Sequence, residues 1–545
     1  MQDHPTQMSR RDLLAMIGMA GGASAMMAAM TTMGHALPSP YDGPPALQGA
    51  PQGSKVLILG AGLAGMVAAY ELRRAGYEVQ ILEYQNRAGG RCWTLKGGDS
   101  FRELGGYQQT CEFSDGQYIN IGPWRIPHHH RAVLDYCQKL GVELEVFVQE
   151  DQNAYLHSTT AFGGQPKRYH SVWADYVGGI SEMLAKSVNQ GAFSDLITTE
   201  DAEMLLESLK SFGVLDSQYR YTERLDVSSY RGYPNSGAPG GGLLDAAPDP
   251  EQPIELGDIV HSRFWQYLRN HTTYRHHAPM FQPKGGMESI AHGFEREVGD
   301  LITYNARVTR IMQDSAGVTV EYDASADAVS SDMQRATADW CVCTIPFTIL
   351  SQIEIDVSAD MRAAMRELHY HEAVKAGLEM RRRFWEQDHA IYGGITFTDL
   401  PIAEIGYPSN EMHSDGPGVL LGGYVYGPQA YAYNSMSPDE RLESVLSQIE
   451  QIHPEAREEF ETGVVLSWHR VPWMLGCYSN WDERGPSYRA AAKVDRRIVC
   501  AGEHLSYLPG WQEGSILSAL DAIRRLHDVA ASGLYSTAAS GGMDQ

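Results

Sequence analysis

Residues 54–91, SKVLILGAGLAGMVAAYELRRAGYEVQILEYQNRAGGR, decide the fold. Lys55 to Leu59 is an apolar run of the length of a buried strand. Gly60-Ala61-Gly62-Leu63-Ala64-Gly65 follows at once, and Met66 to Arg74 then carries apolar residues at helical spacing up to Gly76. Glu78 to Leu82 reads as a second strand, closed by Glu83. This is a βαβ unit with G-x-G-x-x-G at its first turn. Gly60 permits the tight turn, Gly62 lets backbone approach a pyrophosphate, and Gly65 lets helix pack on strand. The N-terminus of the helix offers unpaired N–H groups and partial positive charge to phosphates. Glu83 stands eighteen positions after Gly65, where an acid can take a ribose hydroxyl pair. The stretch therefore predicts dinucleotide binding in an α/β fold.

The 545 residues allow several domains and an ample core. A net charge of −25 argues against nucleic acid and anionic membrane as partners and reads mainly as a solubility device. The seven cysteines show neither a disulfide framework nor a zinc spacing. Three consecutive histidines, His128 to His130, cannot share one helix face, so a helix-start turn is expected there and no metal site.

At the N-terminus, Ser9-Arg10-Arg11-Asp12-Leu13-Leu14 leads into a mildly apolar run, Ala15 to Met33, and then Gly34-His35-Ala36. This reads as a twin-arginine signal peptide over 1–36, with export of the folded protein to the periplasm or beyond. Pro- and Gly-rich residues 37–53 read as a linker. No other window has eighteen consecutive apolar residues, so no membrane span is expected after cleavage.

Further helices are expected over 130–140 (capped by Gly141), 172–190, 200–212 and 438–452, with a last one opening at Gly510-Trp511 and running to about Ala531. Strands are expected over 142–148, 302–311, 318–322, 340–345, 372–381, 404–407 and 419–424. Residues 230–253 read as a long Gly- and Pro-rich loop, and the tail from Ser532 as disordered.

Arg87-Ala88-Gly89-Gly90-Arg91, placed just after the ribose acid, resembles the FAD-dependent amine oxidase superfamily. Within it, Gly122-Pro123-Trp124-Arg125-Ile126-Pro127 and Gly510-Trp511 resemble the L-amino-acid oxidases. The resemblance covers about Lys55 to Ala531. It implies a discontinuous Rossmann-like FAD-binding domain (54–110, 281–346, 476–531), a mixed-sheet substrate domain (111–150, 347–475), a helical insertion (151–280) and a homodimer. It also implies that FAD is held by Arg91, by the segment Gly122 to Arg125, by the Val308 backbone, and by Gly502, Glu503, Gly514, Ser515 and Ile516.

For the substrate, the resemblance gives Arg125 the α-carboxylate in a two-pronged pair and Tyr407 an added hydroxyl bond to it. The Gly510 carbonyl would take the amine. Trp124, Trp511 and Tyr478 would wall the pocket, and Lys375 would hold a water at the flavin to aid the reaction with oxygen. A histidine among His271, His276 and His277 lies near the position of a proposed catalytic histidine. Gly476-Cys477-Tyr478 repeats the triplet through which monoamine oxidases bond covalently to flavin. Its flanks differ from theirs, and noncovalent FAD is the expectation. The implied activity is oxidation of L-amino acids by oxygen to 2-oxo acids, ammonia and hydrogen peroxide, with large or basic side chains favoured. An amino-acid 2-monooxygenase, an amine or polyamine oxidase, and a noncatalytic flavoprotein are the alternatives.

Overall fold

The computed structural model describes residues 39–232, 250–268, 273–325 and 331–532. The signal-peptide expectation, most of the Gly- and Pro-rich loop, His271 and the tail beyond Ser532 lie outside them.

β1 (Lys55–Leu59), α1 (Leu63–Ala75) and β2 (Glu78–Leu82) form where the sequence placed them. Gly76 ends α1 at φ +98°, and its N–H bonds back to Arg73 and Leu72. β1 sits in mid-sheet, parallel to β2 on one side and to Trp340–Cys343 on the other. Ile302–Thr303 adds beyond β2, and Ile498–Cys500 and Val494–Asp495 add beyond Trp340–Cys343, giving six strands. Every residue of Trp340–Cys343 and Ile498–Cys500 is buried, as expected of parallel strands covered on both faces. Leu59, Leu82 and Cys343 end side by side, so their following loops open one crevice at the C-terminal sheet edge.

A seven-stranded sheet forms the second layer. Its order is Lys167–Arg168, Tyr155–His157, Ile395–Thr398, Glu404–Gly406, Gly418–Tyr426, Ala373–Met380 and Phe460–Ser467. Its first two strands come from the block expected to be a helical insertion. That block does hold helices, Tyr169–Asn189 and Thr199–Phe212 among them, the latter with a reciprocal Thr198/Asp201 capping box.

The expected strand over 302–311 is two strands in two sheets. Asn305, at φ +56°, turns the chain, and Arg307–Gln313 joins a separate four-stranded sheet. Residues 39–41 do not behave as a free linker. Tyr41 is buried with its hydroxyl on Asp135, and Ser39 bonds Glu513. Glu513 in turn accepts from the N–H groups of Ala132 and Val133 (3.0 and 2.8 Å), tying the last helix, Gln512–Ala531, to the start of Arg131–Lys139. Among the described residues, no helix is long and apolar enough to cross a membrane.

Candidate active site

The crevice at the sheet edge is a cavity of about 700 Å³. Gly60, Gly62, Leu63, Ala64, Glu83, Arg91, Gly122, Pro123, Val308, Gly502, Glu503, Gly510, Trp511, Tyr478 and Ser515 all line it, so segments far apart in the chain converge on one space. Gly60 takes φ +104°, outside the range most residues adopt. Gly62 has an ordinary φ of −72°, and a Cβ added there would meet no protein atom within 4 Å. What Gly62 leaves open is the cavity itself, beside the uncapped N-terminus of α1. A Cβ on Gly65 would overlap the Gly60 carbonyl oxygen, so this glycine serves the packing of helix on turn.

Glu83 is buried at the cavity wall. Its carboxylate accepts from the N–H groups of Ala61 (2.6 Å) and Gln85 (2.8 Å), which fixes it across the first turn. Burial pushes its pKa up, and those N–H groups and Arg87 oppose the rise. Arg87 lies 4.3 Å above the Trp93 ring and donates to the Gly90 carbonyl, bracing the R-x-G-G-R loop. Arg91 donates to the Cys477 carbonyl (2.8 Å) and Glu503 (2.7 Å). Glu503 also accepts from the Gly510 N–H at 3.0 Å, so one buried acid fixes both Arg91 and the Gly510-Trp511 turn. Burial raises Glu503, but Arg91, His504 and the Gly510 N–H together outweigh it and hold the carboxyl below its usual range. This loop-and-helix set fits an adenine dinucleotide: an open glycine and helix start for the diphosphate, Glu83 for the ribose, and Val308 with its neighbours at the far end.

Gly65, Trp124, Gly514 and Ile516 do not line the cavity. Ile516 is wholly buried in the core, and a Cβ on Gly514 would overlap the Leu508 carbonyl oxygen. Their part is to pack the wall from behind. The lining adds residues not singled out in the sequence, including Tyr84, Thr344, Tyr424, Trp468, Trp473 and Gln512.

Lys375 and Arg125 are buried against this lining, Lys375 on Gly122 and Tyr424 and Arg125 beside Tyr424. The Lys375 ammonium is wholly buried, donates to the carbonyls of Asn120 (3.1 Å) and Gly122, and lies 4.3 Å over the Tyr424 ring. Burial pushes it down to about 7, with Arg125 adding to the fall and Cys477 and Glu404 opposing it. Arg125 is buried with its guanidinium 4.8 Å over the Trp124 ring. Burial lowers its pKa, and Glu404, Tyr426 and Tyr424 oppose the fall. Its Nε and Nη1 have no hydrogen-bond partner among the described residues, and neither does Trp511 Nε1. Buried donors also go unmet at core positions such as Arg383, Arg441 and Trp385; at Arg125 a ligand carboxylate would satisfy them.

Tyr407 is not in the site. Its hydroxyl bonds Thr396 Oγ1 (2.8 Å) and His453 Nε2 (2.7 Å), and its ring is buried in a separate core near Trp385. Side chains alternate along a strand. A Cβ on Gly406 would overlap the Trp124 indole, so Gly406 faces the site, and Tyr407, the next residue, faces away. Trp124 fills the room beside Gly406, edge-on to Phe147 and Tyr424. Strand parity, together with the bare Gly406, was the signal that could have shown this.

Of the histidine candidates, His276 is buried with its ring 6.4 Å from that of Trp511, and His277 lies tilted against His128 at 4.3 Å. Arg275 sits 5.5 Å over Trp511. Cys477 lines the cavity as a free thiol, pushed up to about 12 by burial.

The model of the flavin containing amine oxidoreductase family matches residues 63–527. The YobN protein of Bacillus subtilis is 28% identical over 478 residues, covering 85% of this chain and 93% of that protein. The L-amino-acid oxidase of Gloydius blomhoffii is 28% identical over 484 residues, 86% of this chain and 88% of that enzyme. Among solved structures, putrescine oxidase bound to putrescine overlays with a TM-score of 0.54 at 20% identity, covering 90% of this chain and 99% of that one. Cyclohexylamine oxidase from Brevibacterium oxydans overlays at 0.57 and 16%, covering 88% and 99%.

Proposed function

The chain belongs to the flavin-containing amine oxidoreductases, and on that premise we propose that it is an FAD-dependent oxidase of L-amino acids. The observation that carries the proposal is Arg125, a buried guanidinium with two unmet donors beside the aromatic walls. An amine without a carboxylate would leave those donors unmet, whereas a carboxylate satisfies them with charge-assisted bonds. The amino-acid oxidases among the relatives support the same reading.

In this reading FAD is held noncovalently and supplies the hydride acceptor for the substrate Cα and the route of electrons to oxygen. Arg125 anchors the carboxylate. The Gly510 carbonyl, in a turn fixed by Glu503, accepts from the neutral amine. Tyr424, Tyr478 and Trp511 confine the remaining freedom of the substrate, which orients Cα–H and excludes water. Lys375 fixes the Gly122 carbonyl and keeps a titratable ammonium behind the cavity wall. The imino acid leaves and hydrolyses to the 2-oxo acid and ammonia, and the oxygen consumed appears as hydrogen peroxide.

The aromatic surroundings favour large side chains. Glu404 and Arg275 are coupled to Arg125 and neither lines the cavity, so size is what the site selects first. Twin-arginine export and a homodimeric state belong to the same proposal. A screen of the common L-amino acids that scores peroxide, 2-oxo acid and carbon dioxide together tests it. Equimolar peroxide and 2-oxo acid are expected. Carbon dioxide and amide without peroxide would make the protein a monooxygenase instead.

A further inference from the structure

On the outer side of the seven-stranded sheet, away from the flavin cavity, His389, His453 and Glu455 bring three ligand atoms within 4.8 Å of one another. None of the three lines the cavity. His389 follows the short helix Phe384–Gln387, while His453 and Glu455 lie between the helices Pro438–Ile449 and Ala456–Glu459. The residues are far apart in sequence, so no spacing motif announces them.

The arrangement is built on both sides. His389 Nδ1 bonds the Tyr155 hydroxyl at 3.0 Å, and His453 Nε2 bonds the Tyr407 hydroxyl at 2.7 Å. Tyr407 is itself held by Thr396, whose hydroxyl also accepts from the Tyr155 N–H at 2.9 Å. The outer nitrogen of each imidazole is thus fixed by a tyrosine, and the inner nitrogens, His389 Nε2 and His453 Nδ1, both face Glu455 Oε1. His389 bonds that carboxylate directly. His453 Nδ1 lies 3.7 Å from it, beyond hydrogen-bond length, and has no other hydrogen-bond partner among the described residues although the residue is wholly buried.

The buried Nδ1 points at the carboxylate without reaching hydrogen-bond length, so it is directed into the same small space as the other two ligand atoms. A histidine ligand commonly holds its second ring nitrogen against an outer-shell partner, and here each second nitrogen is on a tyrosine hydroxyl. If His453 donates Nε2–H to Tyr407, and Tyr407 donates to Thr396, the lone pair of Nδ1 is free to ligate. We infer that His389, His453 and Glu455 form a binding site for a late first-row divalent cation such as Zn²⁺. Two imidazoles and one carboxylate suit that class, whereas Mg²⁺ and Ca²⁺ prefer all-oxygen shells. The His389 and Glu455 side chains remain about one-fifth exposed, which admits a water as fourth ligand. Arg168, a neighbouring cation, lies 4.3 Å over the Tyr155 ring. Metal binding would pin two loops to the back of the sheet, and it would replace any proton on His389 Nε2, releasing it to solvent. The resemblance gave Tyr407 to the substrate; here it is the outer support of a ligand.

The test uses FAD-loaded, chelator-treated full-length protein titrated with Zn²⁺ by calorimetry, with melting temperature read in parallel. One equivalent is expected to bind tightly and raise the melting temperature. His389→Gln, at a partly exposed position the fold tolerates, should lose that equivalent and the thermal gain. Tyr407→Phe should weaken binding by roughly 10–100-fold. His128→Gln/His129→Gln should leave binding unchanged. Equal affinity and stoichiometry in wild type and His389→Gln would overturn the inference, as would loss of binding only in the His128/His129 variant.

Discussion

Lys375 is a wholly buried ammonium whose neighbours are two carbonyls and the face of a tyrosine. Its pKa falls from 10.5 to about 7 because burial removes its water. Between those values the unfolded chain holds a proton that the folded chain does not. The residue's unfavourable contribution is therefore full below about pH 7 and is relieved as pH rises toward 10.5. Lys375→Met should lack that rise, so the stabilities of variant and wild type should converge by up to about 1.4 kcal/mol per pH unit across the window. Denaturant midpoints measured at several pH values check the slope. Flavin reoxidation by oxygen should lose its inflection near pH 7 in the same variant. Tyr407 makes the opposite kind of prediction. Because its hydroxyl serves Thr396 and His453, Tyr407→Phe should leave kcat/KM for amino acids within about twofold and lower stability by roughly 1 kcal/mol. A hundredfold rise in KM would return Tyr407 to the substrate site. The residue types that resemblance assigns are legible in the sequence. The direction of a side chain at a strand end is not, because one residue of register turns it to the other face.

At the scale of elements, β1, α1 and β2 could be read residue by residue because each obeys a local period and ends at a glycine or an acid. The same local reading joined 302–311 into one strand. The break lies at Asn305, whose positive φ carries no glycine to mark it. Strands 155–157 and 167–168 were missed because they are short and flank a long helix, and only pairing with Ile395–Thr398 gives them a sheet. The glycines of the first turn divide their work in a way that substitution can separate. Gly62→Ala puts a methyl into open cavity at an ordinary φ, so it should lower FAD affinity at least tenfold while the melting temperature of the flavin-free protein holds. Gly65→Ala collides with the Gly60 carbonyl and should destabilise the flavin-free protein by roughly 1–3 kcal/mol. Flavin titration beside thermal melts of the stripped proteins distinguishes the two.

For the whole molecule, the charge of −25 and the length of the chain were informative only by exclusion. What joins distant segments is a few buried polar ties that no local pattern reveals. Glu103 meets Arg441 in two bonds of 2.8 Å with both side chains fully buried, and it also accepts from the Ser467 N–H at 3.0 Å. This links a hairpin end, a helix and the edge strand of the large sheet. Removing one partner leaves the other charge buried and alone, so Glu103→Gln should cost about 3–5 kcal/mol in global unfolding. A loss below 1 kcal/mol would mean that water reaches Arg441.

The central claim is that Arg125 makes this flavoprotein an oxidase of amino acids rather than of amines. Anaerobic mixing of the FAD-loaded protein with an L-amino acid, and separately with the amine left by its decarboxylation, tests it most directly through bleaching of the flavin absorbance. The amino acid should bleach the flavin and the amine should not. Arg125→Ala should slow bleaching by the amino acid by roughly 100–1000-fold, the loss expected when a buried charge loses its partner. Equal bleaching by both compounds, or an Arg125→Ala protein bleached at the wild-type rate, would contradict the account.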